Sequence, residues 1–298
     1  MFNPAYFYDS VSTKPLLLDL YTGSAGAYSL RLIRGAYVSL PILRIRRTVT
    51  TGTADVYIDQ YKNISLDSPI TIISGSSSAT TLGQYVKASG YTNPDGLGSS
   101  ASAFVSIWYD QSGNSKDAIQ NTDASQPRIV NSGVLDTDGS KACLYFNGSN
   151  ELSISSFTSI LSVLNNYSVF TVHNLNASTG TVLRSSISTN NRFAINYTAD
   201  QKISFQAYNG TFFSKTTNLS SRRRISTSLF FTPNTMTSYV DTVVSGDTIL
   251  TGGTSATATT TIGTGYFNTI QEIIIYPSNI SSSRTVIELN INTFYNIY

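Results

Sequence analysis

The segment from Phe104 to Asn114, FVSIWYDQSGN, constrains the fold of this chain more than any other. In its first six residues, two sets of side chains alternate with the two-residue period of a strand. Both sets are apolar enough to be buried. The strand then ends at a turn, where Asp110 and Asn114 can bond nearby backbone and Gly113 can take a positive φ. We therefore expect a buried strand with Trp108 in the core, followed directly by a tight turn.

A second strand-and-turn pattern follows this segment. The buried run Cys143 to Phe146 ends at Asn147-Gly148, and the half-exposed run Glu151 to Ile154 comes next. The pattern predicts two successive antiparallel strands that pair with each other. Later strand-like runs come at regular intervals, which indicates an antiparallel sandwich or jelly roll. These predicted strands are 167–173, 181–186, 192–197, 202–208, 225–231, 236–244 and 270–276.

Two helices and one earlier strand are also expected. Residues 24 to 36 predict a short helix, because Ala25, Tyr28, Leu32 and Ala36 have helical spacing and Ser24 can cap it. Leu43 to Arg47 alternate aliphatic and arginine residues, as in a strand with one wet face. Ser281 to Ser283 can cap a C-terminal helix. Its predicted apolar stripe consists of Ile287, Ile291, Phe294 and Tyr298.

These residues carry a resemblance to a known family. YDQSGN, the later Gln126-Pro127 and LYFNGSN are similar to the catalytic-domain family of arabinofuranosidase B. They also resemble the wider set of concanavalin A-like, laminin-G-like sandwich domains, many of them in phage tail and head fibres. Tyr28 to Tyr37, Ile45 to Arg47 and the C-terminal helix resemble other parts of the family. The resemblance implies an all-β, concanavalin A-like antiparallel β-sandwich with a short N-terminal helix and a C-terminal helix.

Domain organisation follows from the same resemblance and from length. The similarity spans roughly residues 16 to 298, and all-β domains of this size often remain undivided. We expect one domain over 15–298 and an interface arm over 1–14. The aromatic residues Phe2, Tyr6, Phe7 and Tyr8 of that arm would otherwise form an exposed apolar patch. They predict a homo-oligomer, most simply a trimer.

Whether the resemblance extends to catalysis depends on two carboxyl groups. In the arabinofuranosidase family, the nucleophile is a glutamate in an Asp-Leu-Glu-Asn-Gly type segment, and the acid is an aspartate in a Gly-Gly-Asp-Asn segment. This chain has no glutamate between Glu151 and Glu272, and Ile262 to Tyr266 contain no carboxylate. Asp200 and Asp247 have positions typical of hairpin turns, and Asp241 is the remaining candidate in this half. We therefore expect no glycosidase activity, with a hydrolase that uses displaced carboxylates as the alternative.

Other chemistries receive little support from the sequence. His173 is the only histidine, which excludes a multi-histidine metal site. Asp110, Ser112, Asn114 and Asp117 offer oxygens that calcium could use, but the same residues suffice for a turn. A basic patch could be built from Arg44, Arg46, Arg47 and the triplet Arg222 to Arg224. The charge of the whole chain is nearly balanced, so nucleic acid is not an expected partner. The single cysteine, Cys143, is expected to be buried.

Composition and export signals bear on location. The chain has 12% charged residues, lacks a run of about 20 apolar residues, and begins with neither a basic nor an apolar signal region. We expect no membrane association and no cofactor. The expected location is a virus particle assembled in a cytoplasm, where other virion proteins would be partners. A bacterial surface adhesin is a further alternative, although an adhesin should carry an export signal.

Surface aromatic residues suggest the function. Several of the 19 tyrosines and 14 phenylalanines lie beside Asn, Ser or Gly in expected loops, where they suit either a glycan or a protein interface. The predicted carbohydrate-binding residues are Tyr91, Tyr208, Phe212, Phe213, Tyr266 and Phe267. The sequence thus predicts a non-enzymatic structural or receptor-binding virion component, such as a phage fibre or capsid decoration that binds a host glycan.

Overall fold

A computed structural model confirms the predicted all-β sandwich. The residues it describes are 15–49, 52–154, 157, 161, 166–174, 179–188, 191–198, 202–209, 212–218, 224–232, 235–249 and 259–298. The arm 1–14, with Phe2, Tyr6, Phe7 and Tyr8, lies outside these residues. The arm, the boundary at residue 15 and the single-domain count therefore stay predictions.

The described residues form strands with short connections. The strands are β1 Gly26–Ser29, β2 Leu43–Arg47, β3 Thr53–Val56, β4 Ile70–Ser74, β5 Ala103–Trp108, β6 Ala118–Ile119, β7 Arg128–Asn131, β8 Val134–Leu135, β9 Thr137–Asp138, β10 Lys141–Ala142, β11 Leu144–Asn147, β12 Leu152–Ile154, β13 Tyr167–Asn174, β14 Gly180–Ser188, β15 Asn191–Thr198, β16 Lys202–Asn209, β17 Phe212–Asn218, β18 Arg224–Thr232, β19 Thr235–Val240, β20 Val243–Ile249, β21 Thr259–Ile262 and β22 Phe267–Tyr276. The helices are α1 Leu17–Leu20, α2 Leu82–Tyr85 and α3 Arg284–Tyr295, with 3₁₀ turns at Gly35–Tyr37, Asp123–Ser125 and Ser281–Ser283.

Strand β5, from the FVSIWYDQSGN segment, joins the two layers of the sandwich. One edge of β5 pairs with β2. On its other edge, Phe104 pairs with Arg128 of β7, whereas Trp108 pairs with Ala118 of β6. From β7 the first layer continues through β11, β22, β13, β18, β19 and β20. From β6 the second layer continues through β12, β21, β14, β15, β16 and β17. A single strand thus opens into both sheets.

The main core lies between these layers. Trp108 is fully buried, as predicted, and meets Tyr28 edge to face with ring centroids 5.9 Å apart. Tyr167 of the first layer stacks on Phe231 at 4.8 Å and meets Phe193 of the second layer at 5.5 Å. Aromatic pairs in these geometries add stabilisation beyond the burial of apolar area. Cys143 is also buried, as expected.

The C-terminal helix covers the outer face of the first layer. Ile287 and Ile291 are buried against residues of β13 and β22, including Phe170 and Ile274, as the predicted stripe requires. Asn296 takes a left-handed φ of 52°, which ends the helix at Tyr295. Tyr298 was expected in the stripe, but it lies beyond this end and is exposed, and buried Tyr295 takes its place. Among the described helices, none combines the length and apolarity needed to cross a membrane.

The helix predicted over 24–36 is wrong. Residues 26 to 29 form β1, which pairs with β22, and the short N-terminal helix is α1 instead. Tyr28 faces the main core, whereas Ala27 faces the cluster under α3, so β1 is buried on both faces. A strand buried on both faces loses its polar alternation, and the spacing of its apolar residues then resembles that of a helix.

Three further predictions require correction, while the strand over Leu43 to Arg47 is confirmed. Strands β11 and β12 are not partners, because the turn between them carries the chain from the first layer to the second. The run 236–244 is two strands, β19 and β20, separated by Asp241 and Thr242, which both have positive φ. Asp247 lies within β20 and not at a turn, because it pairs with Thr237.

Candidate functional site

The predicted carbohydrate-binding aromatics do not form one surface. Tyr266 is buried, stacks on Tyr197 at 5.7 Å, and donates its hydroxyl to the backbone of Asn174. It therefore has no ring face for a ligand, and that prediction is wrong. Tyr208, Phe212 and Phe213 lie in paired strands β16 and β17 instead of loops, and their side chains lie outside the described part of the structure.

Tyr91 and Phe267 have different surroundings. The Tyr91 ring lies against Gly83, where an added Cβ would be 2.5 Å from the ring. Its hydroxyl donates to Asp67 at 2.6 Å, and burial together with this carboxylate raises the pKa of Tyr91 to about 12. Phe267 is 43% exposed and meets Tyr145 edge to face at 6.0 Å. Of the six predicted residues, Phe267 has the described ring most available to a ligand.

The YDQSGN turn is a structural network. The Asp110 carboxylate accepts hydrogen bonds from the backbone N–H groups of Ala27, Ser112 and Lys116 at 2.8 to 3.1 Å. The buried Gln111 side chain accepts a hydrogen bond from the Ile33 N–H and donates to the carbonyls of Ser29 and Arg31. The motif therefore fixes the β1 region against the end of β5. Within the described residues, no group of three or more His, Cys, Asp or Glu side chains is placed to hold a metal.

Carboxylates in the described structure are engaged in similar local contacts. Each Asp or Glu whose side chain is described either accepts a hydrogen bond from the protein or forms an ion pair with it. Glu272 is buried against Arg31 at 2.8 Å, and Glu151 accepts from Thr264 at the same distance. Asp241 accepts from the backbone of Ser226, whereas Asp200 lies outside the described residues. Ile262 to Tyr266, where the family places its acid, form the end of β21 and a turn.

His173 is a core residue. It lies fully buried on β13, and Nδ1 is 3.0 Å from the Thr171 hydroxyl. Its ring meets Tyr197 of the opposite layer edge to face at 5.5 Å. Burial lowers the pKa of His173 to about 3, because the charged imidazolium would lose its hydration. This ring is therefore neutral at ordinary pH.

Two of the three arginines of β2, Arg44 and Arg47, are held by carboxylates. Arg44 makes a bidentate pair with Asp55 at 2.8 and 2.9 Å. Arg47 is buried against Asp95, and its guanidinium lies 4.3 Å from the Tyr85 ring centroid. Paired arginines do not form the open basic surface that a polyanion requires. Arg222 and Arg223 lie outside the described residues, as does the side chain of Arg224.

A cleft in the second layer has the lining expected of a site for a neutral polar ligand. We call it the amide-hydroxyl cleft; its volume is about 480 Å³. Its lining residues are Ile119, Gln120, Asn121, Thr122, Ser153 and Thr259. None of them titrates near neutral pH. Clefts of this volume are within the range that binds small molecules.

Strand pairing builds this cleft. Ser153 on β12 pairs with Ile119 of β6 on one side and with Thr261 of β21 on the other. The Gln120 side chain donates to the Glu151 carbonyl and accepts from Thr122 N–H, both at 2.9 Å, which fixes the loop. In the described part of the chain, the Asn121 amide and the hydroxyls of Thr122, Ser153 and Thr259 have no protein partner. These four polar groups are therefore available to a ligand.

A second cleft includes the residue that follows Thr122 in the same loop. We call it the arginine cleft; its volume is about 430 Å³. Its lining residues are Arg46, Arg47, Thr48, Val49, Gly52, Thr53 and Asp123. Asp123 directly follows Thr122 of the amide-hydroxyl cleft, so the two clefts are neighbours. Sequence reasoning missed both clefts, and the polar run Gln120 to Asp123 between two strands is the signal that points to them.

Comparisons with known proteins bear on the fold. No protein-family model matches the chain, and no curated protein sequence matches it. A solved GH54 α-L-arabinofuranosidase, soaked with a cyclic sulfate inhibitor, superposes with a TM-score of 0.60 at 12% identity. An arabinofuranosidase complexed with arabinofuranosyl-α-1,2-xylobiose gives the same values. Both alignments cover 92% of this chain and 64% of the other. The chain thus spans less than two thirds of the length of these structures and has their sandwich fold.

Proposed function

We propose that this protein binds carbohydrate in the amide-hydroxyl cleft and does not hydrolyse it. The observation that carries this proposal is the cleft lining, in which an amide and three hydroxyls find no partner among the described residues and no group titrates near neutral pH. Amides and hydroxyls both donate and accept hydrogen bonds, which matches the hydroxyl groups of a neutral sugar. The sandwich fold shared with two arabinofuranosidases agrees with a saccharide ligand.

The absence of hydrolysis is proposed from the same lining. Glycoside hydrolysis normally needs an acid and a second carboxylate on either side of the bond. The lining of this cleft contains no carboxylate, and the adjacent Asp123 is a single exposed carboxylate that is paired with Arg46 at 3.2 Å. Aryl arabinofuranosides should therefore show no turnover above the uncatalysed rate. Turnover that Asp117→Asn or Asp241→Asn abolishes would contradict this part of the proposal.

Binding is tested with an array of neutral oligosaccharides that includes arabinofuranosyl-α-1,2-xylobiose. The double variant Asn121→Ala/Thr122→Ala should lose about tenfold or more in affinity, because each lost hydrogen bond contributes about 1 kcal/mol. Asn131→Ala is the matched control, since Asn131 is an exposed residue of β7 outside the cleft. Equal affinity in the double variant and the control would refute the proposed site.

We place this binding activity in a virus particle, as a fibre or capsid decoration that attaches to host glycans. The similarity of YDQSGN and LYFNGSN to phage sandwich domains supports this location, and so does the low charge content. Mass spectrometry of purified particles should detect the chain in stoichiometric amounts. Its recovery only from the soluble fraction of lysed cells would contradict the location and leave the binding proposal intact.

A further inference from the structure

The arginine cleft contains a guanidinium held in one orientation. Arg46 lies over the Phe104 ring, with its guanidinium carbon 4.9 Å from the ring centroid. Its Nε donates to Gln126 at 2.7 Å, and Nη2 donates to the Asp123 carbonyl at 2.6 Å. The side chain is only 20% exposed. A ligand that binds this group therefore has little side-chain entropy to overcome.

Part of this guanidinium remains available. An arginine has five N–H donors, and within the described residues Nη1 of Arg46 has no hydrogen-bond partner. The Asp123 carboxylate pairs instead with Nε of Arg46, at 3.2 Å. The Asp123 side chain is 72% exposed. The Nη1 and Nη2 groups form the end of the planar fork that binds a carboxylate through two parallel hydrogen bonds.

We infer that the arginine cleft binds the carboxylate of an acidic sugar unit, while the amide-hydroxyl cleft binds a neutral unit of the same oligosaccharide. This inference rests on the proposed function. Consecutive residues Thr122 and Asp123 line the two clefts, so one chain of linked sugars can extend from one cleft to the other. Thr48 and Thr53 also line this cleft, but their hydroxyls already bond Ser102 and Ser74, so Arg46 is the group that selects the ligand. The ligand class is thus a carboxylate-bearing oligosaccharide.

The test compares two matched pairs of neutral and acidic oligosaccharides. The first pair is lactose and 3′-sialyllactose. The second pair is the methyl ester of trigalacturonate and free trigalacturonate. The wild-type protein should bind the acidic member of at least one pair about tenfold more tightly, and added salt should reduce the difference. Arg46→Gln should abolish this preference. Asp123→Asn should increase it, because the exposed carboxylate repels the ligand.

Arg44→Gln is the matched control, because Arg44 lies on the same strand but pairs with Asp55 outside the cleft. Its preference should equal that of the wild type, and thermal melting confirms that each variant is folded. Equal affinity for the neutral and acidic members of each pair, or a preference that survives in Arg46→Gln, overturns the inference. In either case, binding of a neutral oligosaccharide leaves the proposed function intact. If no oligosaccharide binds, the proposed function fails and the inference fails with it.

Discussion

Protonation of His173 should make this protein unusually sensitive to mild acid. The pKa of its imidazole is lowered from 6.5 to about 3 in the folded state, whereas the unfolded chain keeps the ordinary value. As the pH falls, the unfolded state therefore binds the extra proton first. The contribution of neutral His173 to the free energy of unfolding has its full value above pH 6.5 and is lost as the pH is lowered toward 3. Each pH unit in this window costs about 1.4 kcal/mol, which gives about 2 kcal/mol between pH 6.5 and 5.

Urea unfolding followed by the fluorescence of Trp108, the only tryptophan, measures this effect. His173 is the only histidine, so no other imidazole contributes to the pH dependence between pH 6.5 and 5. The variant His173→Gln can keep a hydrogen bond to Thr171 but cannot be protonated in this range. Its unfolding free energy should change much less over that interval. Equal slopes in both proteins, or an NMR titration of His173 near pH 6.5, would refute the reasoning.

Three further predictions concern stability and assembly. Trp108→Ala should lower the free energy of unfolding by about 3 to 5 kcal/mol, measured by urea denaturation followed by circular dichroism, and an unchanged melting temperature would contradict its core position. Asp110→Ala should cost about 3 kcal/mol in the same assay, because three backbone N–H groups lose their acceptor, whereas Asp110→Asn keeps an acceptor oxygen and should cost less. Removal of residues 1–14 should convert an oligomer, expected to be a trimer, into a folded monomer in light scattering, and a monomeric full-length chain would contradict the interface arm.

Local patterns predicted much of the fold. The alternation in β5, the turn residues at Asp110 and the stripe of α3, apart from Tyr298, are all patterns of neighbouring residues. These predictions succeeded because the physical cause, burial of one or both faces of a single element, acts within that element. The mistaken helix over 24–36 shows the limit of such reasoning. In β1 both faces are buried, so its apolar spacing does not distinguish a helix from a strand.

The features that local sequence patterns do not predict depend on pairing between strands that are distant in sequence. Tyr266 follows a glycine in a turn, which suggested exposure, yet the packing of both layers buries its ring. Strands β11 and β12 are consecutive, but each finds its partners in a different layer. The amide-hydroxyl cleft combines Thr122, Ser153 and Thr259, which are distant in sequence and meet only through the pairing of β6, β12 and β21. The polar run Gln120 to Asp123 is the one local pattern that marks part of this group, and Ser153 and Thr259 join it only through strand pairing.

The central claim, a saccharide bound in the amide-hydroxyl cleft, is tested most directly by backbone-amide NMR titration with the tightest-binding neutral oligosaccharide from the array. The amide signals of Ile119 to Thr122, Ser153 and Thr259 should shift together and saturate at one dissociation constant. The signal of Asn131 should remain in place. Saturable shifts confined to other parts of the molecule, with these six signals unmoved, would contradict the account.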